Sequence, residues 1–226
     1  MNPVRSLCSW SDAFDVVTTE FSALPAVAIP IKSASGLVIA EALPALSDLP
    51  AYATSAMDGW AVCGSGPWRV LGEVATGTRS STKLADSECL KISTGGVIPI
   101  GCTAVIPWED ATVNDDVVTG TVELGANIRP AATEAAKGEV LLDAGTRLTP
   151  TFLGLLAASG YDTVPVIPRP RVSVILLGDE LVQTGLPKDG KIRDALGVQL
   201  PSFLASCNAD IVTSEFITDD TEVIVA

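Results

Sequence analysis

The chain has 226 residues, 47% of them hydrophobic, and sets 27 acidic side chains against 14 basic ones for a net charge of −13 at pH 7. Such a charge argues against duplex nucleic acid, whose phosphates an acidic surface repels, and suits either solubility or the gathering of divalent cations. Histidine is absent, which excludes Ser-His-Asp and Cys-His catalysis and imidazole-bound metals; acid–base work falls to Asp, Glu, Lys, Tyr or water, and a metal would be hard and oxygen-liganded, such as Mg²⁺.

Met1-Asn2-Pro3-Val4-Arg5 leads into no apolar signal-peptide core. No stretch nears the ~18 uninterrupted apolar residues of a membrane span. A cytoplasmic setting without membrane contact is therefore expected. Residues 9–24 read as an amphipathic helix: Ser9 or Ser11 caps it, and Trp10, Phe14, Val17, Phe21 and Leu24 recur at helical spacing as a core stripe. Pro25 stops it by disfavouring helical geometry at Leu24. Residues 27–31 and 37–40 are short strand-like pieces broken by Pro30, Gly36 and Pro44. In the segment 48–62, Pro50 stiffens the entry, and Thr54-Ser55 and Asp58-Gly59 read as turn chemistry. That segment presents the Asp58 carboxylate from a fixed backbone.

Residues 59–128 change character. Short β-rich runs at 60–62, 68–74, 89–92, 104–107 and 117–122 alternate with Gly, Ser, Thr and Asp, the punctuation of an all-β module. Asn114-Asp115-Asp116 reads as a hairpin tip. A strand and turn follow at 140–145. Thr149-Pro150 caps a helix over 151–159, and Gly160 stops it. A strand at 163–167 runs into a stiff linker made by Pro165, Pro168 and Pro170. Residues 171–177 form a nearly continuous apolar strand, as a parallel sheet buried on both faces requires. A polar loop, 184–193, precedes a helix that Pro201 either starts late or kinks. Asp210 begins a second strand, and Asp219 with Glu222 resembles a capping box. About 56 residues follow the linker, too few for a doubly wound sheet built of ~30-residue βαβ units. The five cysteines, Cys8, Cys63, Cys89, Cys102 and Cys207, form no C-x-x-C pair and read as reduced thiols.

Four places present acids or anion donors on loops. Asp58 is the first. At the second, Thr94-Gly95-Gly96, a strand ends in a turn whose amides either face a phosphate or oxyanion or simply close a β-turn. The third is Gly178-Asp179-Glu180-Leu181, at the carboxyl end of a strand, where ligands bind in open α/β sheets; its acids either hold Mg²⁺ and position water or favour a helix start. Lys188, Lys191 and Arg193 follow it and either neutralise an anionic ligand or only solubilise the loop. The fourth is Asp219-Asp220, which shares an edge with Glu180 if the two strands are parallel.

Ordered motifs run along nearly the whole chain. Asp48-Leu49-Pro50 with Ser55-Ala56-Met57-Asp58-Gly59-Trp60-Ala61-Val62, Gly72-Glu73-Val74, the run from Ile92 to Glu109, the run from Gly138 to Val166, and Arg169-Pro170-Arg171-Val172 through Gly178-Asp179-Glu180-Leu181-Val182 together resemble the molybdopterin molybdenumtransferase (MoeA-type) family. The resemblance implies an enzyme that binds adenylylated molybdopterin and molybdate, cleaves the adenylate with Mg²⁺ present, leaves molybdenum on the dithiolene and releases AMP. It implies catalytic roles for Asp58, Glu180 and Asp220, with Glu180 and Asp220 on Mg²⁺. Thr94, Gly95, Glu134, Asp194, Lys188 and Lys191 fall on substrate-binding positions. It implies a homodimer whose site lies between the β-rich module of one subunit and the α/β domain of the other, with other molybdenum-cofactor biosynthesis proteins as further partners.

The fold expected is mixed α/β and multidomain: a discontinuous α+β domain at 1–48 with 129–168, an inserted β-rich module at 49–128, and a partial α/β parallel-sheet domain at 169–226. Three departures from the family pattern stand out. Ala132 replaces the glycine of "R-x-x-GED", Ala195-Leu196 replaces the Ser-Asn of "RDSN", and Leu176-Leu177 replaces a Ser-Thr pair. The family's C-terminal β-barrel would lie beyond Ala226. These departures leave an alternative open, a catalytically weakened paralogue acting as a binding or regulatory scaffold. An acidic interaction module without a small ligand is the third reading.

Overall fold

Helix α1 (Trp10–Thr19) opens on a capping box. The Ser9 hydroxyl accepts the Asp12 N–H, and the Asp12 carboxylate accepts the Ser9 N–H, which satisfies two of the orphan donors of a helix start. The structure, a computed structural model, describes residues 9–20, 22–75 and 77–219. The stripe expected to be core is not buried: Trp10 is 85% exposed, Phe14 59% and Val17 61%. An amphipathic stripe buries only against an apolar surface, and no α1 residue finds one among the described residues. Phe21 lies outside them.

Strands β1 (Val27–Pro30) and β2 (Val38–Ile39) fall where the sequence placed strand-like pieces. Short strands β3 (Leu43–Pro44) and β4 (Thr54–Ser55) follow; Thr54-Ser55 is extended backbone and not a turn. Six strands then build one sheet: β5 (Gly59–Cys63), β6 (Trp68–Glu73), β7 (Glu88–Ile92), β8 (Ala104–Pro107), β9 (Ala111–Asn114) and β10 (Val117–Gly120). Their spatial order is β8-β5-β7-β6-β10-β9, and each neighbouring pair is antiparallel except β6 and β7.

Strand alternation sends successive side chains to opposite faces, and both faces of this sheet carry a core. Ala61, Leu90, Ile92 and Val105 pack to one side; Val62, Cys89, Ala104 and Ile106 pack to the other, with Trp68 and Val118. Each fully buried Val, Leu or Ile contributes about 1.5–3 kcal/mol, so the sheet is the energetic centre of its unit. Gly59 serves this packing. A Cβ there would sit 2.1 Å from the Ile106 carbonyl oxygen, so glycine permits close approach of β5 and β8. The expected hairpin tip is present: β9 and β10 join at Asp115 and Asp116, with Asp115 at φ 53°.

Strand β11 (Ile128–Arg129) pairs with β4, and β12 (Val140–Leu142) with β3. Helix α2 (Pro150–Ala158) begins where the Thr149 hydroxyl accepts the Phe152 N–H and ends at Gly160, whose φ of 107° suits glycine alone. Strand β13 (Thr163–Ile167) lies antiparallel between β1 and β2, with Val166 opposite both Val27 and Ile39. Next come β14 (Arg171–Leu177), β15 (Leu181–Val182), β16 (Ile192–Arg193), α3 (Leu196–Ser206) and β17 (Asp210–Ile217). β14 runs parallel to β17, and β15 parallel to β16. Pro201 sits inside α3.

The expectation that 171–177 is buried on both faces fails. Val174 is the buried residue of β14, while Ile175 is 58% and Leu177 45% exposed. Two strands and one helix do not cover both faces of a parallel sheet.

Two units emerge. One holds Ala42–Asp143 and Gly154–Asp162; the other holds Met1–Glu41, Ala144–Leu153 and Thr163–Ala226. No helix among the described residues is long and apolar enough to cross a membrane.

Candidate functional site

Asp58 immediately precedes β5 and Thr94 closely follows β7, the strand beside it. The pairing of Gly59 with Ile92 therefore sets the two residues side by side. The Thr94 N–H donates to Asp58 Oδ1 at 2.7 Å, and the Thr94 hydroxyl donates to the same oxygen at 3.1 Å. Bonds to an ionised acceptor are the stronger kind, so Oδ1 is held from two directions. Oδ2 takes no hydrogen bond from the described residues, and Asp58 is exposed. On the opposite flank the Asp58 carbonyl accepts the Trp108 N–H at 3.3 Å.

The Thr94-Gly95 segment is a closed turn. The Gly96 N–H donates to the Ser93 carbonyl at 2.8 Å, and Gly95 holds φ 78° at the third position, where a turn of this type requires glycine. The Gly95 N–H donates to the Ser55 carbonyl at 2.8 Å, and the Ser55 N–H to the Gly96 carbonyl at 2.9 Å. The amides of Thr94, Gly95 and Gly96 are thus all engaged within the protein. Of the two sequence readings of this loop, the β-turn is the one built, and the polar groups it leaves facing outward are side chains.

Those side chains line a cleft of about 380 Å³ bounded by Thr54, Ser55, Ala56, Thr94, Gly95 and Arg129. Arg129 supplies its positive charge and pairs with Glu134 at 2.8 Å, both side chains about half exposed. The segment bearing Glu134 is fastened to the Asp48-Leu49-Pro50 motif: the Leu49 carbonyl accepts the Glu134 N–H at 2.8 Å, and Asp48 Oδ1 accepts the Lys137 N–H at 2.8 Å. Between them Ala132 adopts φ 59°, the left-handed backbone that the glycine of the motif would favour. Asp58, Thr94, Gly95 and, through Arg129, Glu134 are therefore gathered in one unit. Arg129 escaped the sequence reading, although it stands in the same "R-x-x-GED"-like stretch as Glu134.

Glu180, Lys188, Lys191 and Asp194 belong to the other unit. Because β14 and β17 are parallel, their carboxyl ends share an edge, and the Asp179 N–H donates to Asp219 Oδ2 at 3.3 Å across it. Gly178 clears room for Glu180, since a Cβ would come within 2.8 Å of its carboxylate. The Lys191 ammonium donates to the Asp179 carbonyl at 2.5 Å, and the Ile192 N–H to the Glu180 carbonyl at 2.8 Å. The Lys188 side chain is exposed, and its carbonyl accepts the Lys191 N–H at 3.0 Å. Asp194 is 6% exposed, and its Oδ1 accepts the Gly197 N–H at 2.8 Å at the start of α3. Its carboxylate ties the residue before the Ala195 N-cap to the first turn of α3. Asp220 lies outside the described residues.

The donor chemistry of this edge fits Mg²⁺. Glu180 and Asp219 offer hard oxygens, and Mg²⁺ keeps most of its waters and needs only one or two carboxylates besides substrate phosphates. A ready-made cage of three or more Cys, Asp or Glu side chains does not occur among the described residues. The thiols of buried Cys89 and half-buried Cys102 are poor nucleophiles: desolvation pushes both up to about 11 from the ordinary 9.0.

Residues 8–160 match the family described as MoeA N-terminal region (domain I and II). Molybdopterin molybdenumtransferase 2 of Mycobacterium tuberculosis is 32% identical over 218 residues, covering 91% of this chain and 54% of that protein. Molybdopterin molybdenumtransferase of Synechocystis is 28% identical, covering 97% of this chain and 59% of that protein. The chain thus spans little more than half the length of these relatives. Two crystal structures of a molybdopterin biosynthesis MoeA protein from Pyrococcus horikoshii superpose with TM-scores of 0.82 and 0.83 at 26% and 28% identity. They cover 97% of this chain and 62% and 59% of those chains. With two thirds of its residues matched and its strands superposing on these structures, the chain belongs to the MoeA N-terminal region family.

Proposed function

We propose that the chain serves molybdenum cofactor biosynthesis, in the insertion of molybdate into adenylylated molybdopterin with release of AMP. The observation that carries this reading is the Asp58 carboxylate, held on one oxygen by both Thr94 donors beside a cleft that holds Arg129. Fixing Oδ1 aims Oδ2 outward, so the acid is oriented before substrate arrives, and such preorganisation lowers the cost of reaching a transition state. In a chain without histidine, Asp58 then orients the attacking oxygen and holds its proton. Arg129 and the Thr94 hydroxyl face the anionic ligand, and Glu134 keeps the guanidinium in place. Lys188 and Lys191 add positive charge, Gly95 shapes the turn, and Asp194 positions the loop before α3.

Glu180 with Asp219 and Asp220 would hold Mg²⁺, which when bound neutralises phosphate charge. The active form is a homodimer in which module 49–128 of one subunit meets the α/β segment 169–226 of its partner, carried on the scaffold of 1–48 with 129–168. The exposed stripe of α1 supports such an assembly. The setting is cytoplasmic, and other proteins of cofactor biosynthesis supply the pterin nucleotide. One observation favours the scaffold alternative: Asp194 commits a carboxylate oxygen to the Gly197 N–H in the first turn of α3, and Ala195-Leu196 beside it offers a ligand no polar side chain.

Incubating the chain with adenylylated molybdopterin, molybdate and Mg²⁺ while following AMP and cofactor separates the two. Turnover supports the transferase; binding without turnover supports the scaffold. Asp58→Ala is expected to lower turnover roughly 100-fold or more, the usual yield of a positioned acid–base group. It costs about 1–2 kcal/mol of stability through two lost hydrogen bonds. Unchanged turnover would remove Asp58 from the chemistry.

A further inference from the structure

Trp108 stands directly beside Asp58. The antiparallel register of β5 and β8 places Gly59 opposite Pro107, and the next step pairs Asp58 with Trp108, closed by the Trp108 N–H on the Asp58 carbonyl at 3.3 Å. Asp58 is thus flanked by Thr94 on the β7 side and by Trp108 on the β8 side. Trp108 is 46% exposed although the strand leading to it is wholly buried. Lys91, which lies opposite Trp60 in the neighbouring strand pair, reaches across β5 and sets its ammonium 5.4 Å from the centre of a Trp108 ring. Glu73 stays near that ammonium at 3.9 Å.

A single exposed tryptophan is ordinary. One whose backbone is bonded to the proposed acid, and whose ring is already polarised by a fixed cation, is placed for use. Indole is the best of the side-chain partners for a cation, and a flat heterocycle stacked on an aromatic side chain gains about 1–3 kcal/mol whatever its hydrogen-bonding edge. We infer that Trp108 is the stacking platform for the planar heterocycle of the ligand, with Lys91 set to meet its phosphate. This rests on the pterin-nucleotide reading above. Adenine and pterin share the chemistry, a flat nitrogen heterocycle linked through a short carbon framework to phosphate. Trp108 acts as a positioning and specificity residue, since it fixes the ring while Asp58 meets the reacting group.

The test titrates the parent chain, Trp108→Ala and Trp108→Phe with adenylylated molybdopterin, AMP, a pterin phosphate and inorganic pyrophosphate. Binding is read by calorimetry and by tryptophan fluorescence. The expected result is quenching in the parent chain and roughly tenfold weaker binding of the aromatic ligands by Trp108→Ala. Trp108→Phe recovers most of that loss, and pyrophosphate binds all three alike. Whichever of AMP and pterin phosphate loses affinity in Trp108→Ala names the ring that stacks. Equal affinity of the parent and Trp108→Ala for both aromatic ligands overturns the platform and leaves the proposed function standing. Failure of the parent chain to bind adenylylated molybdopterin overturns both.

Discussion

Ala132 pays a conformational cost that a glycine would not. Its φ of 59° puts Cβ against the following carbonyl, a strain of roughly 1–2 kcal/mol for a residue with a side chain. Glycine would remove that strain and return about 0.4–1 kcal/mol of it as unfolded-state entropy. Ala132→Gly is therefore expected to stabilise the chain by about 0.5–1 kcal/mol in urea denaturation, and a loss of stability would mean the alanine is relaxed. The residue scale also divides what the sequence could disclose about the site. Asp58 and Thr94 were legible because the motif puts each at a strand end. Arg129 was legible as the first residue of the "R-x-x-GED"-like stretch, but its place in the cleft was not: it enters there because β11 pairs with β4, setting Arg129 opposite Thr54 and Ile128 opposite Ser55. A pairing across more than seventy residues leaves no local mark. The fate of the Thr94-Gly95-Gly96 amides was equally hidden, since Gly95 is bonded to Ser55 from a distant strand.

At the scale of elements, periodicity revealed type and missed surroundings. The strands of the central sheet announce themselves through alternation that matches their two cores, whereas β9, reading Ala-Thr-Val-Asn, alternates too weakly to stand out. The helix of α1 was legible from its cap and spacing, but the same spacing said nothing of what it lies against. Gly59 was misread as turn chemistry because a glycine that admits a neighbouring strand looks locally like one that reverses the chain. Gly59→Ala tests the distinction. The new methyl must force the Ile106 carbonyl away from β5, and overpacking of this kind costs about 1–3 kcal/mol. Chemical denaturation should show that loss, with hydrogen exchange quickening in β5 and β8 first; an unperturbed variant would return Gly59 to a turn role.

For the whole molecule, the apolar face of α1 is the surface an assembly would cover. Trp10, Phe14 and Val17 stand exposed on one helix, and the proposed homodimer would cover them. A chain of net charge −13 repels its own copy, and salt screens that repulsion within about 10 Å at 0.1 M. Sedimentation should therefore show association that strengthens with both protein concentration and salt. The double variant Trp10→Ser with Phe14→Ser should shift the equilibrium towards monomer while the melting of the central sheet stays put. A parent chain that stays monomeric under all conditions would dismiss α1 as the contact.

The way β1 is paired has a consequence for how the polypeptide is made. Val27 waits for Val166, and Leu43 for Leu142, so β1 finds its partner only after roughly 140 more residues have left the ribosome, and β3 after roughly 100. At ~5–20 residues per second of synthesis, that interval is on the order of ten seconds. The module from β5 to β10 closes on itself within it. Nascent β1 is thus an unpaired apolar edge for the longest time of any strand, the segment where a trigger-factor-like holdase would have most to protect.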